Sequence, residues 1–203
     1  IEAADFPCVG AKSASARGNL TMVRARDLRS GWNDLEIHER LMDWAAAHGE
    51  DDGALHSFAV LFAGPDDLNE DEFERLMWER IQSFADKDAW LGQPHDARVA
   101  EDPDNPHFSL SFGGEAFFVV GLHPQASRPA RRFSSPVLVF NLHAQFERLR
   151  AEGRYEKLRA AKGGVGAAML HQRRCTGCQL SIDNAELSVI RAAPADLVVR
   201  CEE

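Results

Sequence analysis

Three shortages narrow the reading of this 203-residue chain. No apolar run approaches the ~20 residues of a membrane helix, so no membrane span is expected. Cysteine is scarce: Cys8, Cys175, Cys178 and Cys201 do not make a disulfide scaffold. Basic residues are outnumbered, 23 Lys and Arg against 32 Asp and Glu, for a net charge of −9. A general nucleic-acid binder needs a basic footprint, so no nucleic-acid partner is expected. The start, Ile1-Glu2-Ala3-Ala4-Asp5, has neither a basic stretch nor an apolar core. That predicts no signal peptide, and an initial Ile points to a processed or trimmed chain. Together these features predict a reduced, cytoplasmic protein. Several catalytic signatures are also missing: there is no G-x-S-x-G elbow, no Walker loop and no H-E-x-x-H.

What is present reads as globular. Apolar residues make up 44% and charged residues 27%, enough to build one core. Residues 1–32 read as mostly loop, with a helical turn near 12–17 and a basic cluster at Arg24, Arg26 and Arg29. Asn33 or Asp34 caps a helix whose apolar stripe, Leu35, His38, Leu41, Met42 and Ala45, runs to Gly49. Ser57 to Ala63 is a continuous apolar run, the pattern of a strand buried on both faces. Asn69 or a neighbour caps an acidic-starting helix with Phe73, Leu76, Met77, Arg80, Ile81 and Phe84 on its buried side. Trp44, Phe73, Trp78 and Phe84 read as core.

After a loop over 86–107, two β-rich runs, 108–112 and 116–122, flank Gly113-Gly114 and predict a hairpin. Residues 136–141 form a further strand and 143–161 a helix. From Gly163 the chain changes character, with a glycine-rich break, a C-x-x-C pair and short strand-like runs at 187–190 and 197–199. The expected fold is α+β, a mainly antiparallel sheet with a hairpin packed against several helices. Residues 1–162 form the domain and 163–203 a divergent tail.

The segment 121–132 packs His123, Ser127, Arg128, Arg131 and Arg132 into one strand exit. Guanidinium forks grip carboxylates, and neutral imidazole binds metals. This set suits a haem iron with its propionates, or an anionic substrate. The plainer alternative is a solvated basic loop with a capping His. His143, just after a strand, is either a ligand, an acid–base group or a backbone-bonded helix residue. Cys8, near Lys12, is either a thiolate ligand or a small buried hydrophobe. His171, Cys175, Cys178 and Cys201 make a zinc set of poor spacing, and unpaired thiols are the alternative. Gln179 follows the second cysteine of the pair where c-type haem attachment needs His, so that chemistry is rejected.

Several phrases occur together: Phe6-Pro7-Cys8-Val9-Gly10-Ala11-Lys12, Ser57 to Pro65, Phe73-Glu74-x2-Met77-Trp78, Phe108 to Gly114, Gly121-Leu122-His123-Pro124-x-Ala126-Ser127-Arg128-x-Ala130-Arg131-Arg132-Phe133, and Val139-Phe140-Asn141-x-His143-x-Gln145-Phe146-Glu147 onward to Tyr155. In this order they resemble the YqcI/YcgG-like family over about residues 5–160. The family includes haem-dependent N-hydroxylases of arginine and other guanidino compounds in natural-product, including antibiotic, biosynthesis. The tail lacks the phrases with which family members usually continue.

The resemblance implies a haem b monooxygenase that hydroxylates a guanidino nitrogen of L-arginine or a related guanidine. It would use O₂ or peroxide and an unidentified electron donor. His123 becomes the leading axial ligand, with His143 and Cys8 behind it. Arg128, Arg131 and Arg132 become propionate or substrate-carboxylate partners. A cationic guanidine needs a carboxylate, for which Glu115 is one candidate. Two other readings stand beside this: a haem-binding or peroxidase-like module without arginine hydroxylation, and a zinc or thiol-redox protein built on the tail cysteines. Exposed sheet edges allow a homodimer.

Overall fold

Strand β1 (Leu20–Asp27) opens the fold and runs parallel to β2 (Ser57–Gly64), joined through helix α1 (Asp34–His48). Helix α2 (Glu70–Trp90) follows, then the hairpin β3 (Leu110–Phe112) and β4 (Glu115–Leu122), strand β5 (Val137–Leu142) and helix α3 (His143–Ala151). The computed structural model describes residues 16–49, 54–128, 131–153, 170–171 and 174–175. Among them the five strands form one sheet in the order β1-β2-β5-β4-β3. Only β1–β2 is parallel; β2–β5, β5–β4 and β4–β3 are antiparallel. The fold is α+β with a mixed, mostly antiparallel sheet.

The core lies on one face of this sheet. Alternation places Phe58, Val60 and Phe62 of β2, Leu138, Phe140 and Leu142 of β5, and Phe117 of β4 on the same side, all buried. α1 covers this face with Ile37, Leu41 and Trp44, and α2 with Phe73, Leu76, Ile81 and Phe84. Trp44 packs on Phe58, and Phe84 on Phe140 and Phe112, at ring separations of 5.7–6.4 Å. Trp78, read as core, is 47% exposed, because it sits off the buried stripe of α2.

The two helices are also joined by buried polar pairs. Arg80 Nη1 donates to Asp34 Oδ2 at 2.8 Å, and His38 Nε2 lies 2.8 Å from Asp88 Oδ1. The start of α2 carries a full capping box. Asn69 Oδ1 accepts from Glu72 N (2.9 Å), and Glu72 Oε2 accepts from Asn69 N (3.1 Å).

Element boundaries differ from expectation in several places: α2 runs on to Trp90 through the start of the stretch read as loop from 86, where Asp88 is buried against His38. β1 occupies residues read as loop, because its small inward residues, Thr21, Val23 and Ala25, alternate with outward Met22, Arg24 and Arg26. α3 ends at Ala151, followed by Gly153 in the left-handed region, whereas the sequence pattern continued it to 161. Residues 154–161 of that expectation lie outside the described residues. The chain divides into units Ile1–Glu152 and Gly153–Glu203. In the second unit the described residues form a short antiparallel pair, β6 (Leu170–His171) with β7 (Arg174–Cys175). No helix among the described residues is long and apolar enough to cross a membrane.

Candidate functional site

His123 continues the inward face of β4 past Gly121. It is 3% exposed, and its ring stacks on Phe73 at 4.4 Å and 16°. Burial pushes its pKa down, against the pull of Glu70 and of a hydrogen bond to the Leu68 backbone. Its Nδ1 is buried with no partner among the described residues. The loop after it is bound to itself. His123 N donates to Arg131 O (3.0 Å), and Phe133 N and Ala126 N donate to His123 O. Ser127 donates from both N and Oγ to Glu70 Oε1, at 3.0 and 2.8 Å.

The arginines of this loop turn inward to its own carbonyls. Arg132 Nε donates to Ala126 O (2.7 Å) and its Nη2 to Ser127 O (3.3 Å), while Arg131 Nη1 reaches Gly121 O at 3.4 Å. Arg128 acts electrostatically on Glu70. The predicted basic cluster is therefore a fastened loop in which guanidinium donors satisfy backbone acceptors.

His143 sits elsewhere. It is the first residue of α3, and the alternation of β5 puts it on the sheet face away from the core. It lies over Phe118 at 4.5 Å, and Phe118 meets Phe146 edge-on at 5.4 Å. The side chain is 25% exposed. Burial pushes its pKa down, opposed by Glu147 and helped by Arg150 and Arg98. The neutral imidazole, the form that binds iron, is thus favoured. His123 and His143 lie on opposite faces and near opposite ends of the β4–β5 pair, since Leu122 pairs with Val137 and Phe117 with Leu142. One iron cannot use both.

The middle of the face carrying His143 is apolar and partly open, and its β1 edge also carries Arg24 and Arg26. Alternation places Met22, Ala59, Leu61, Val120 and Val139 on it, with Met22 at 62% and Phe118 at 37% exposure. Its polar border was not legible in sequence. Asp96, inside a stretch read as plain loop, is buried and accepts from Arg98 Nε (2.8 Å) and Ala116 N (2.9 Å). Hydrogen bonds from Arg98 hold its carboxyl down at about 2. Arg98 also donates to Glu115 Oε2 at 2.7 Å. Glu115, the proposed partner for a guanidinium, therefore already accepts one from its own chain.

Cys8, Cys178 and Cys201 lie outside the described residues, as do the side chains of His171 and Cys175. Among the described residues no group of three or more His, Cys, Asp or Glu is placed to hold a metal ion.

The YqcI/YcgG family pattern matches residues 1–162. The chain belongs to that family. It is 29% identical to the uncharacterised protein YqcI of Bacillus subtilis (strain 168) over 149 residues, 71% of this chain and 57% of that one. Uncharacterised proteins of two Mycobacterium tuberculosis strains, CDC 1551 and H37Rv, are each 49% identical over 51 residues, 25% of this chain and 20% of theirs. The chain thus spans little more than half of the Bacillus relative and a fifth of the mycobacterial ones. No solved structure matches it. The family match ends at residue 162, where the sequence changes character.

Proposed function

We propose that this chain carries the haem site of an N-hydroxylase acting on a guanidino nitrogen of L-arginine or a related guanidine. The observation that carries the reading is His143, a neutral-favoured imidazole on an accessible aromatic face of a chain with the family's sequence pattern. The haem, when bound, supplies activation of O₂, with two electrons and two protons from an external donor, or of peroxide, which needs no donor.

The remaining roles belong to the chain. His143 fits as the iron ligand better than His123, because the His123 ring is sealed against Phe73 whereas His143 is a quarter exposed. Phe118 and Phe146 offer flat apolar surface beside it. Arg98 and Arg150 act electrostatically on His143 and would be the cations available to the propionates of a bound haem. Glu115 is the carboxylate for a cationic guanidine, in exchange for Arg98.

Absorption spectroscopy of the full chain with added haemin tests the reading. A Soret band is expected, shifted by L-arginine, lost or moved in His143→Ala and retained in His123→Ala. Turnover with arginine and peroxide, followed by mass spectrometry, is expected to give hydroxyarginine. No Soret band with haemin, or a wild-type spectrum in His143→Ala, overturns it.

A further inference from the structure

The basic cluster of Arg24, Arg26 and Arg29 has no part in the site described above. Folding divides it. Arg29 is taken by Asp27, its Nε donating to Oδ1 at 2.8 Å. Arg24 and Arg26 stand two residues apart on the outward face of β1, exposed, at an edge of the sheet. We propose that the free edge of β1 is a docking site for an extended acidic segment of a partner protein, which adds as a strand beside Leu20, Met22 and Arg24 and sets carboxylates against Arg24 and Arg26. The proposal does not rest on the haem reading.

Three observations carry it. First, the edge has open backbone. Ser57 N donates to Asn19 O at 3.0 Å, so the odd-numbered residues of β1 turn their backbone groups to β2 and the even-numbered ones turn away from it. Arg26 obeys this: its N–H points off the sheet and donates to Asn33 Oδ1 at 3.3 Å. The backbone groups of Leu20, Met22 and Arg24 on that side have no such partner among the described residues. A row of this kind is a template for an added strand. Second, the charge here is uncompensated. Arg75, Arg80, Arg98 and Arg150 each hold a carboxylate of this chain. Among the described residues neither Arg24 nor Arg26 does. Third, Arg26 is preorganised. Its Cζ lies 5.6 Å over the ring of Trp32, itself 77% exposed, a cation–π contact that leaves the guanidinium N–H donors for a carboxylate.

The charge selects the occupant. A residue added opposite Arg24 brings its Cβ to about 4.5–5.5 Å from that of Arg24. Side chains two residues apart on the added strand share its face, so alternate carboxylates meet both arginines. Each guanidinium fork takes a carboxylate with two donors. Against a net charge of −9 this edge is a local positive strip. A second copy of the chain fits worse. Laid antiparallel on the same edge, it gathers the arginine pairs of both copies on one face of the joint, and like charges across strands are destabilising.

The test uses the full chain and a fluorescent peptide of alternating valine and glutamate, with an alternating valine–lysine peptide as its opposite. Anisotropy should show the glutamate peptide bound, more weakly as salt screens the charges, and the lysine peptide unbound. Hydrogen exchange followed by nuclear magnetic resonance should show the Met22 and Arg24 amides protected by the glutamate peptide. Arg24→Glu and Arg26→Glu should each weaken binding about 2–30-fold, the effect of turning one exposed ion pair into a like-charge pair. The double variant should bind the lysine peptide instead. Arg75→Glu, an equal change of net charge on α2, should bind as wild type. Met22→Pro removes an edge N–H that β2 does not use and should weaken binding with the sheet intact. If that variant loses its native circular dichroism, amide protection in wild type decides. No binding of the glutamate peptide, unchanged affinity in the double variant, or binding without protection of the Met22 and Arg24 amides overturns the proposal. Self-association of the chain that competes with the peptide gives the edge to a second copy and overturns it as well.

Discussion

Gly121 offers a test of how tightly the loop histidine is sealed. It lies in β4 opposite Leu138 of β5, on the inward face. A Cβ there would come 2.6 Å from Phe73 Cε1, 2.9 Å from Phe73 Cζ and 2.8 Å from Met77 Sδ. Met77 ends in a flexible thioether and can swing away. Phe73 cannot, because its ring is pinned between α2 and the stacked His123. Gly121 is required here for space, not for backbone conformation, since it is not among the positive-φ glycines. Gly121→Ala is therefore an overpacking substitution, expected to cost about 1–3 kcal/mol. At 2–4 °C per kcal/mol for a chain of this size, the thermal midpoint should fall by roughly 2–12 °C. Gly92→Ala is the contrast: nothing lies within 4 Å of its Cβ, and only its left-handed φ of +68° is strained, at about 1–2 kcal/mol. Urea unfolding measures both. Phe73→Leu should relieve the Gly121→Ala clash, giving a coupling of about 0.5–3 kcal/mol in a double-mutant cycle. A Gly121→Ala protein within about 0.5 kcal/mol of wild type, or a cycle with no coupling, would refute the argument.

Other expectations follow from buried polar groups and caps. Asp88 Oδ1 serves both His38 Nε2 and Gly113 N, each at 2.8 Å. Asp88→Ala strands two donors at about 1–3 kcal/mol each, so urea unfolding should show a loss of about 2–6 kcal/mol. Asn69→Ala removes the capping box and should cost about 0.5–2 kcal/mol by the same measurement. Asp96 is held below its ordinary 3.8, at about 2, so its contribution is present above pH 4 and is lost as pH falls towards 2. Asp96→Asn should flatten that part of the stability–pH curve; an unchanged slope would remove Asp96 as its source.

The elements that were legible are those whose signal is local. The capped acidic start of α2, the apolar run of β2 and the Gly113-Gly114 turn, with φ of +60° and +81°, each need only a few neighbouring residues. β1 was missed because an edge strand with Thr21, Val23 and Ala25 inside and arginines outside lacks the apolar weight of a strand. The site was less legible, because its partners are far apart in sequence. Asp96 finds Ser111 and Ala116, 15 and 20 residues away. His38, which fits an apolar helix stripe, finds Asp88 at a distance of 50 residues. The arginines of 128–132 were easy to see, but their use was not: proximity in sequence gave a charged cluster, and the folded loop spends much of it on its own carbonyls.

The choice between His123 and His143 comes down to what must move to admit a porphyrin. At His123 the obstacle is Phe73, 5% exposed and part of the core that joins α2 to the sheet. Emptying its place costs about 3–5 kcal/mol, as for a buried Phe→Ala change, a large share of the 5–15 kcal/mol that holds a domain together. At His143 the obstacle is Phe118, already 37% exposed, whose displacement forfeits far less burial. The same contrast gives a direct experiment. Phe118→Ala should leave the urea midpoint close to wild type while changing haemin affinity or the Soret position. Phe73→Ala should lower the midpoint strongly and, where the protein remains folded, leave the haem spectrum as it was. If the spectroscopic response follows Phe73 instead, the iron belongs on the core side of the sheet, and the sealed His123 must open to receive it.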